Sequence, residues 1–411
     1  MLFLLERSPW MAASIATSRA TNLSFIAPSS EPASGDSSND QINAAAIVEH
    51  LRKHGPQYFP SLKPRFSISI ERIRGSTNPV FRFVLSDGKK SFGVFAKRPA
   101  VYPENNEALS EYKNYTDFNL SRSEPCGFQC PQVLTLMSGS EVLLTEEAEG
   151  NSLLKLIRGP SAVRHPRSMD CLAAVDLSAK WLAAFHQLAA STEEPGEVTD
   201  HIPLLNVARE LDDWLAGILG RELAQSLNHW RHSVIGIWRN SAGPIGRWHG
   251  DFGAGNVVVG VDKVTVLDAA FRSPGPQLAD LAEFLTYPLV LSCAGIKSPA
   301  GYRKIAATFL EGYFGKAELA YVERSLLRDF SLCSLWRSLE RHRRAVRRLP
   351  TPIRLFAFCY LKIAYGGAFR SVLAGTSLPT TSKDSEIACE RRQQRQKHQG
   401  LANLNVTPSA H

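Results

Sequence analysis

The sequence predicts an α+β chain of two lobes, a small antiparallel sheet with one main helix followed by a mainly helical body. Three observations carry this reading. Apolar and polar residues alternate with a period of two between 66 and 97, as half-buried strands do, and extended character returns at 141–145. From about Ser152 onward the apolar residues recur instead at helical spacing. Between the two regimes runs EEAEGN at 146–151, a polar segment with a glycine that reads as a hinge. The division that follows is a disordered leader over 1–43, a first lobe over 44–148, a second over 149–379 and a disordered polar tail over 380–411.

Each element has a local cause. Residues 12–41 are rich in Ser, Ala, Thr, Asn and Pro and lack an apolar period, so no packed structure is expected of them. The opening MLFLL is interrupted by Glu6 and Arg7, the wrong order and length for a secretory signal, and Met11 is an alternative start. AAAIVEHLRKH at 44–54 has helical periodicity. Phe66, Ile68 and Ile70 begin the first strand, which a small-residue loop at 74–78 interrupts. Extended character resumes at 80–85, Asp87-Gly88 supplies a tight turn, and 91–97 returns as the hairpin partner, ending FGVFAK on Lys97. A helix is expected at 105–120, where Leu109, Tyr112, Tyr115 and Phe118 or Asn119 share related faces and Glu107 and Glu111 lie one turn apart. A turn at 138–140 precedes the next strand. In the helical body, His186 follows an apolar run and reads as a satisfied packing residue with no chemistry.

Composition narrows the function classes. The 411 residues are 44% hydrophobic and 21% charged, which excludes a wholly disordered or collagen-like chain. No charge-free apolar run approaches the roughly 20 residues of a membrane span, so no transmembrane segment is expected. Lys and Arg outnumber Asp and Glu by 47 to 39, and the resulting +8 favours anionic partners without choosing among nucleotides, phosphosugars, nucleic acid or an anionic membrane surface. Seven cysteines, an odd number with no CxxC pair, argue against a disulfide framework and for a reducing compartment, the cytoplasm. Cys126 and Cys130 have no His or Cys partner at zinc spacing.

The chemistry concentrates in RWHGDFGAGNVVVGVDKVTVLD at 247–268. Asn256 follows Asp251 by five residues. Two short extended pieces, 257–260 and 264–267, read as a hairpin, which returns Asp268 to the neighbourhood of Asn256. One carboxylate, one carboxamide and a second carboxylate then converge. Mg²⁺ takes hard oxygen ligands and keeps several waters, so one Asp, one Asn and phosphate oxygens suffice for it. Asp251 would accept the proton of an attacking hydroxyl, and Lys97 with the metal would offset charge on a moving phosphoryl group.

HGDFGAGN, followed by VLD after a hairpin, resembles the aminoglycoside phosphotransferase and choline kinase family, whose fold is protein-kinase-like. The resemblance spans about residues 65–290 and takes in Lys97 on its strand, LLTEEAEGNSL at 143–153 and PQLADLAEF at 276–284. It implies Asp251 as catalytic base, Asn256 and Asp268 as Mg²⁺ ligands, and Lys97 on the phosphates of ATP. It implies Glu111 as the ion-pair partner of Lys97, with Glu107 the competing candidate. It further implies the loop of Gly75, Ser76 and Asn78 over the phosphates, Glu146, Glu147 and Ala148 facing the adenine through the backbone, and Asp280 bracing the catalytic loop. The loop at 75 has a single glycine, and Ala269 stands where the family often has an aromatic residue. Gly250 replaces the arginine that protein kinases carry before the catalytic Asp, and Asp280 lies only twelve positions after Asp268, which leaves little room to bind a peptide. The resemblance therefore implies a small-molecule hydroxyl acceptor: a sugar, an amino sugar or a related metabolite. The alternatives are a choline-like or antibiotic acceptor, or a nucleotide-binding module without turnover.

The segment SLWRSLERHRRAVRRLP places Arg337, Arg341, Arg344 and Arg348 on one helical face, with Arg343 and Arg347 beside it. One reading is a solvated face with Glu340 as a partial partner. The other is recognition of an anionic acceptor or docking on an acidic membrane surface. Nucleic acid is not expected as a partner. Neither the oligomeric state nor ATP against GTP is legible.

Overall fold

A computed structural model describes residues 42–73, 80–98, 107–121, 127–137, 141–159, 169–188, 217–240, 245–269, 275–315, 321–347 and 349–377. The leader up to 41, the loop at 74–79, the turn at 138–140 and the tail from 378 lie outside them.

Helix α1 (Ala44–Tyr58) starts where Asn43 accepts a hydrogen bond from the Ala46 amide. It runs four residues past its expected end, through Pro56, and lays Ile47 and Leu51 on a five-stranded sheet. The strands are β1 (Ser67–Ile73), β2 (Val80–Ser86), β3 (Ser91–Lys97), β5 (Val133–Met137) and β6 (Val142–Glu146), after a short β4 (Phe128–Gln129) that belongs elsewhere. Their order is β1-β2-β3-β6-β5, antiparallel throughout. Phe83, Leu85, Val94, Ala96 and Leu144 are buried against α1. Because strand side chains alternate, Phe95 and Lys97 on β3, and Arg82 opposite Phe95 on β2, fall on the other face. That parity sets Lys97 in the cleft.

Helix α2 (Glu107–Leu120) follows β3 in sequence but packs on the second core, with Phe118 5.0 Å from the Trp181 ring. The rest of the chain supplies β7 (Asn151–Ser152), α3 (Leu153–Arg158), α4 (Cys171–Gln187), α5 (Arg221–Asn240), β8 (Ile245–Gly246), β9 (Val257–Val259), β10 (Val264–Val266) and β11 (Gly275–Pro276). Four helices close it: α6 (Gln277–Cys293), α7 (Pro299–Phe314), α8 (Tyr321–Arg347) and α9 (Thr351–Leu373). A small sheet, β4-β10-β9-β7, underlies the site. The expected hairpin is β9–β10, paired Val257 to Val266. The hinge runs tightly against it: Gly150 has φ +140°, and a Cβ there would lie 2.1 Å from the Val259 carbonyl oxygen. Only glycine fits. No helix among the described residues is long and apolar enough to cross a membrane.

Candidate active site

Lys97 ends β3 with its ammonium between two carboxylates, 3.0 Å from Glu111 Oε2 and 2.6 Å from Asp268 Oδ1. The partner on α2 is therefore Glu111. It lies on the buried face of that helix with Asn114, Tyr115 and Phe118. Tyr115, one turn on, donates its hydroxyl proton to Glu111 Oε1 at 2.7 Å and accepts the Asp268 amide at 2.7 Å. Asn114 donates to the Ala269 carbonyl at 2.9 Å. One helix thus fixes both the lysine's partner and the segment carrying Asp268. Burial pulls the Lys97 pKa down, but Glu111 and then Asp268 outweigh it and hold the ammonium charged well above ordinary lysine. For Asp268, loss of water pushes up and Lys97 pulls down more strongly, so its carboxylate is stabilised.

The loop carrying Asp251 is pinned from below by Asp280 on α6. This 1%-exposed carboxylate accepts the amides of His249 at 2.6 Å and Gly250 at 2.8 Å. His186 Nε2 faces the same carboxylate at 2.9 Å, and the Tyr313 hydroxyl lies 2.6 Å from His186 Nδ1, so the histidine is the satisfied packing residue its surroundings suggested. His249 Nε2 lies 2.9 Å from the Leu267 carbonyl and ties the loop to the hairpin.

Beyond this brace, Asn256 Nδ2 donates to the Asp251 carbonyl at 2.9 Å and more weakly to Asp251 Oδ2 at 3.3 Å. The Leu267 amide donates to the Asn256 carbonyl at 2.8 Å, which closes the hairpin and makes Asp268 a neighbour of Asn256. Asp268 has φ +58°, a left-handed conformation uncommon outside glycine, Asn and Asp, and its carboxylate reaches Lys97. With Asn256 Nδ2 spent on Asp251 and Asp268 Oδ1 spent on Lys97, the carboxamide oxygen and the second carboxylate oxygen remain as hard donors. Among the described residues no group of three or more His, Cys, Asp or Glu could hold a metal. The donor set fits a cation that shares its coordination with phosphate oxygens, as Mg²⁺ does.

At the hinge, the Glu146 amide donates to the Gln132 carbonyl at 2.8 Å and the Glu147 amide to the Gly93 carbonyl at 2.9 Å. Both are consumed by the sheet. Among the described residues none accepts a hydrogen bond from the Ala148 amide. The Glu147 carboxylate folds over β3 to meet Arg82 at 2.9–3.0 Å through two nitrogens. It occupies the space a Cβ on Gly93 would take, 1.8 Å from Glu147 Oε2. Gly75, Ser76 and Asn78 lie outside the described residues.

Part of the basic segment of α8 turns inward, while Arg341 and Arg347 are exposed and the side chains of Arg344 and Arg348 lie outside the described residues. Glu283 on α6, 9% exposed, accepts from Ser334 at 2.5 Å, Arg337 at 2.7 Å and Arg341 at 2.8 Å. Arg341 also reaches Asp251 Oδ1 at 3.5 Å. Arg343 pairs with Glu340 at 2.7 Å. A solvated face thus describes neither Arg337 nor Arg343. Sequence reasoning missed Glu283, Tyr115 and Arg82. Tyr115, four residues after Glu111 on one helix, was within reach of a spacing argument; the other two depend on contacts between distant elements.

An antiparallel sheet ending in a paired lysine, a braced Asp-bearing loop and a hairpin that returns a second Asp define the protein-kinase-like class. Within it, the family model of the phosphotransferase enzyme family matches residues 69–321, more than half of the sequence. The chain belongs to that family, and its activity class is ATP-dependent transfer of a phosphoryl group to an alcohol. Among solved structures it is similar to choline kinase from Cryptosporidium parvum Iowa II, at 12% identity over 81% of this chain and 95% of that one, with a TM-score of 0.51. A choline/ethanolamine kinase family protein from Mesorhizobium loti is 15% identical over 80% and 99%, with a TM-score of 0.45. A thermostable mutant of an aminoglycoside phosphotransferase is 16% identical over 79% and 99%, with a TM-score of 0.47. At such identities the first likeness speaks for the fold alone. No curated protein matches the chain.

Proposed function

We propose that this protein transfers the γ-phosphoryl of ATP, as its Mg²⁺ complex, to a hydroxyl of a small molecule in the cytoplasm, the acceptor being a sugar, an amino sugar or a related metabolite. The observation that supports this best is the double tie of Lys97 to Glu111 and to Asp268, which joins a strand, a helix and the end of the hairpin. Lys97 grips phosphate oxygens and Glu111 holds it straight. Asn256 and Asp268 hold the cation, which when bound supplies positive charge against the phosphoryl oxygens. Asp251 accepts the acceptor's hydroxyl proton while the acceptor oxygen bonds to the γ-phosphorus. The bond from that phosphorus to the bridging oxygen breaks, and its electron pair leaves with ADP.

The adenine lies between the hinge and the cleft face of the sheet. The Ala148 amide is its backbone donor, Glu146 and Glu147 frame it, and Phe95 stacks on it, two residues before Lys97. Gly75, Ser76 and Asn78 cover the phosphates.

Gly93→Ala drives a methyl group into the Glu147 carboxylate and separates it from Arg82. The KM for ATP is expected to rise about 5-fold, in line with roughly 1 kcal/mol for a partly exposed ion pair. Initial rates at saturating acceptor measure it, and an unchanged KM would detach the pair from nucleotide binding. The reaction itself is tested by incubating the protein with Mg·ATP and a panel of sugars, amino sugars, choline and an aminoglycoside, and reading products by mass. One phosphoryl group added to a sugar-type acceptor is the expected result. Nucleotide binding with no product from any acceptor would favour a module without turnover.

A further inference from the structure

Arg341 stands between two carboxylates of unequal hold. On one side, Glu283 is buried and fixed by Ser334 and Arg337, and takes Arg341 Nη2 at 2.8 Å. On the other, Nη1 is 3.5 Å from Asp251 Oδ1, and the two side chains are 46% and 58% exposed. A long contact between exposed charges contributes little, whereas a paired, buried carboxylate is costly to abandon. Any ligand that competes for Arg341 will therefore displace Asp251 and leave Glu283 in place. The guanidinium fork suits a carboxylate or a phosphate.

We propose that Arg341, anchored on Glu283 through Nη2, reads an anionic group on the acceptor with the Nη1 end that its long contact to Asp251 leaves open to exchange. The inference rests on Asp251 being the base. An acceptor hydroxyl on Asp251 and an acceptor anion on Nη1 are at most about 9 Å apart, one hydrogen bond from each end of the gap. A carboxylated or phosphorylated sugar has that reach. Glu283, shared by two arginines, presents no bare carboxylate to a cationic acceptor.

The test uses the full chain, its Arg341→Gln variant and Arg341→Lys, which keeps the charge, loses the fork and should fall between the other two. With acceptors, wild type is expected to prefer gluconate or glucose 6-phosphate to glucose and choline, and Arg341→Gln to lose about 10- to 100-fold in kcat/KM on the anionic compounds alone, the usual worth of a hydrogen bond to a charged group. Equal losses on every acceptor, or no loss on the anionic ones, would overturn the proposal. An Asp251→Asn protein as active as wild type would instead overturn the base assignment, and this inference with it.

Discussion

Asp251→Asn is expected to lower kcat by about 10²- to 10⁴-fold, the range a positioned general base contributes. That corresponds to roughly 3–5 kcal/mol of barrier, at about 1.4 kcal/mol per tenfold. The substitution is nearly isosteric. The bond from Asn256 to the Asp251 main-chain carbonyl, at 2.9 Å, does not depend on the side chain, so the loop should keep its shape. The KM for ATP should therefore stay within about 3-fold while the phosphoryl-transfer step collapses. Single-turnover measurement of product at saturating ATP and acceptor separates the two. A kcat within a few-fold of wild type would mean that another group takes the proton. In the wild type, the surrounding protein raises the Asp251 pKa, Glu283 adds to the rise, and Arg341, His249 and Arg337 pull it back. The carboxyl is thereby a somewhat better proton acceptor than an ordinary aspartate.

Asp280→Ala is expected to damage stability and activity together. Two backbone amides and a buried histidine lose their shared acceptor. Each buried donor left without a partner costs about 1–3 kcal/mol. A total of about 3–5 kcal/mol is the usual consequence of breaking a buried charged contact from one side. Chemical denaturation monitored by Trp fluorescence measures the loss. Because His249 and Gly250 immediately precede Asp251, the surviving folded fraction should also turn over more slowly, by an order of magnitude or more. Asp280→Asn keeps one acceptor oxygen but turns an NH₂ toward an amide or the histidine, so it should fall between wild type and Asp280→Ala. A variant with unaltered stability would show that the loop holds itself without this carboxylate.

These two predictions draw on different kinds of legibility. Asp251, Asn256 and Asp268 could be found in the sequence because their spacing is local: five residues, then a hairpin whose period-two pattern is written in Val257–Val259 and Val264–Val266. Lys97 could be found because it ends a strand. Glu111 and Glu107 could not be separated, because residues one turn apart share a helix face and differ only by about 6 Å along its axis. The packing of Tyr115 and Phe118 in the second core fixes that register. The arginines of α8 looked as much like a solvated face as a binding face. Their partner Glu283 is on another helix, some fifty residues earlier, and nothing in the local pattern announces it. The same holds for Arg82 and Glu147, which are sixty-five residues apart.

What the chain by itself determined, then, is the two-regime architecture, the order of the elements and the chemical types gathered near the cleft, because backbone periodicity and turn chemistry act between neighbours along the chain. What only the tertiary structure decided is which groups meet: Lys97 with Glu111, Asp280 with the amides of His249 and Gly250, Arg341 with Glu283 and Asp251. Ion pairs and hydrogen bonds act over a few ångströms of space, and that separation is set by how helices and sheet pack rather than by distance in sequence.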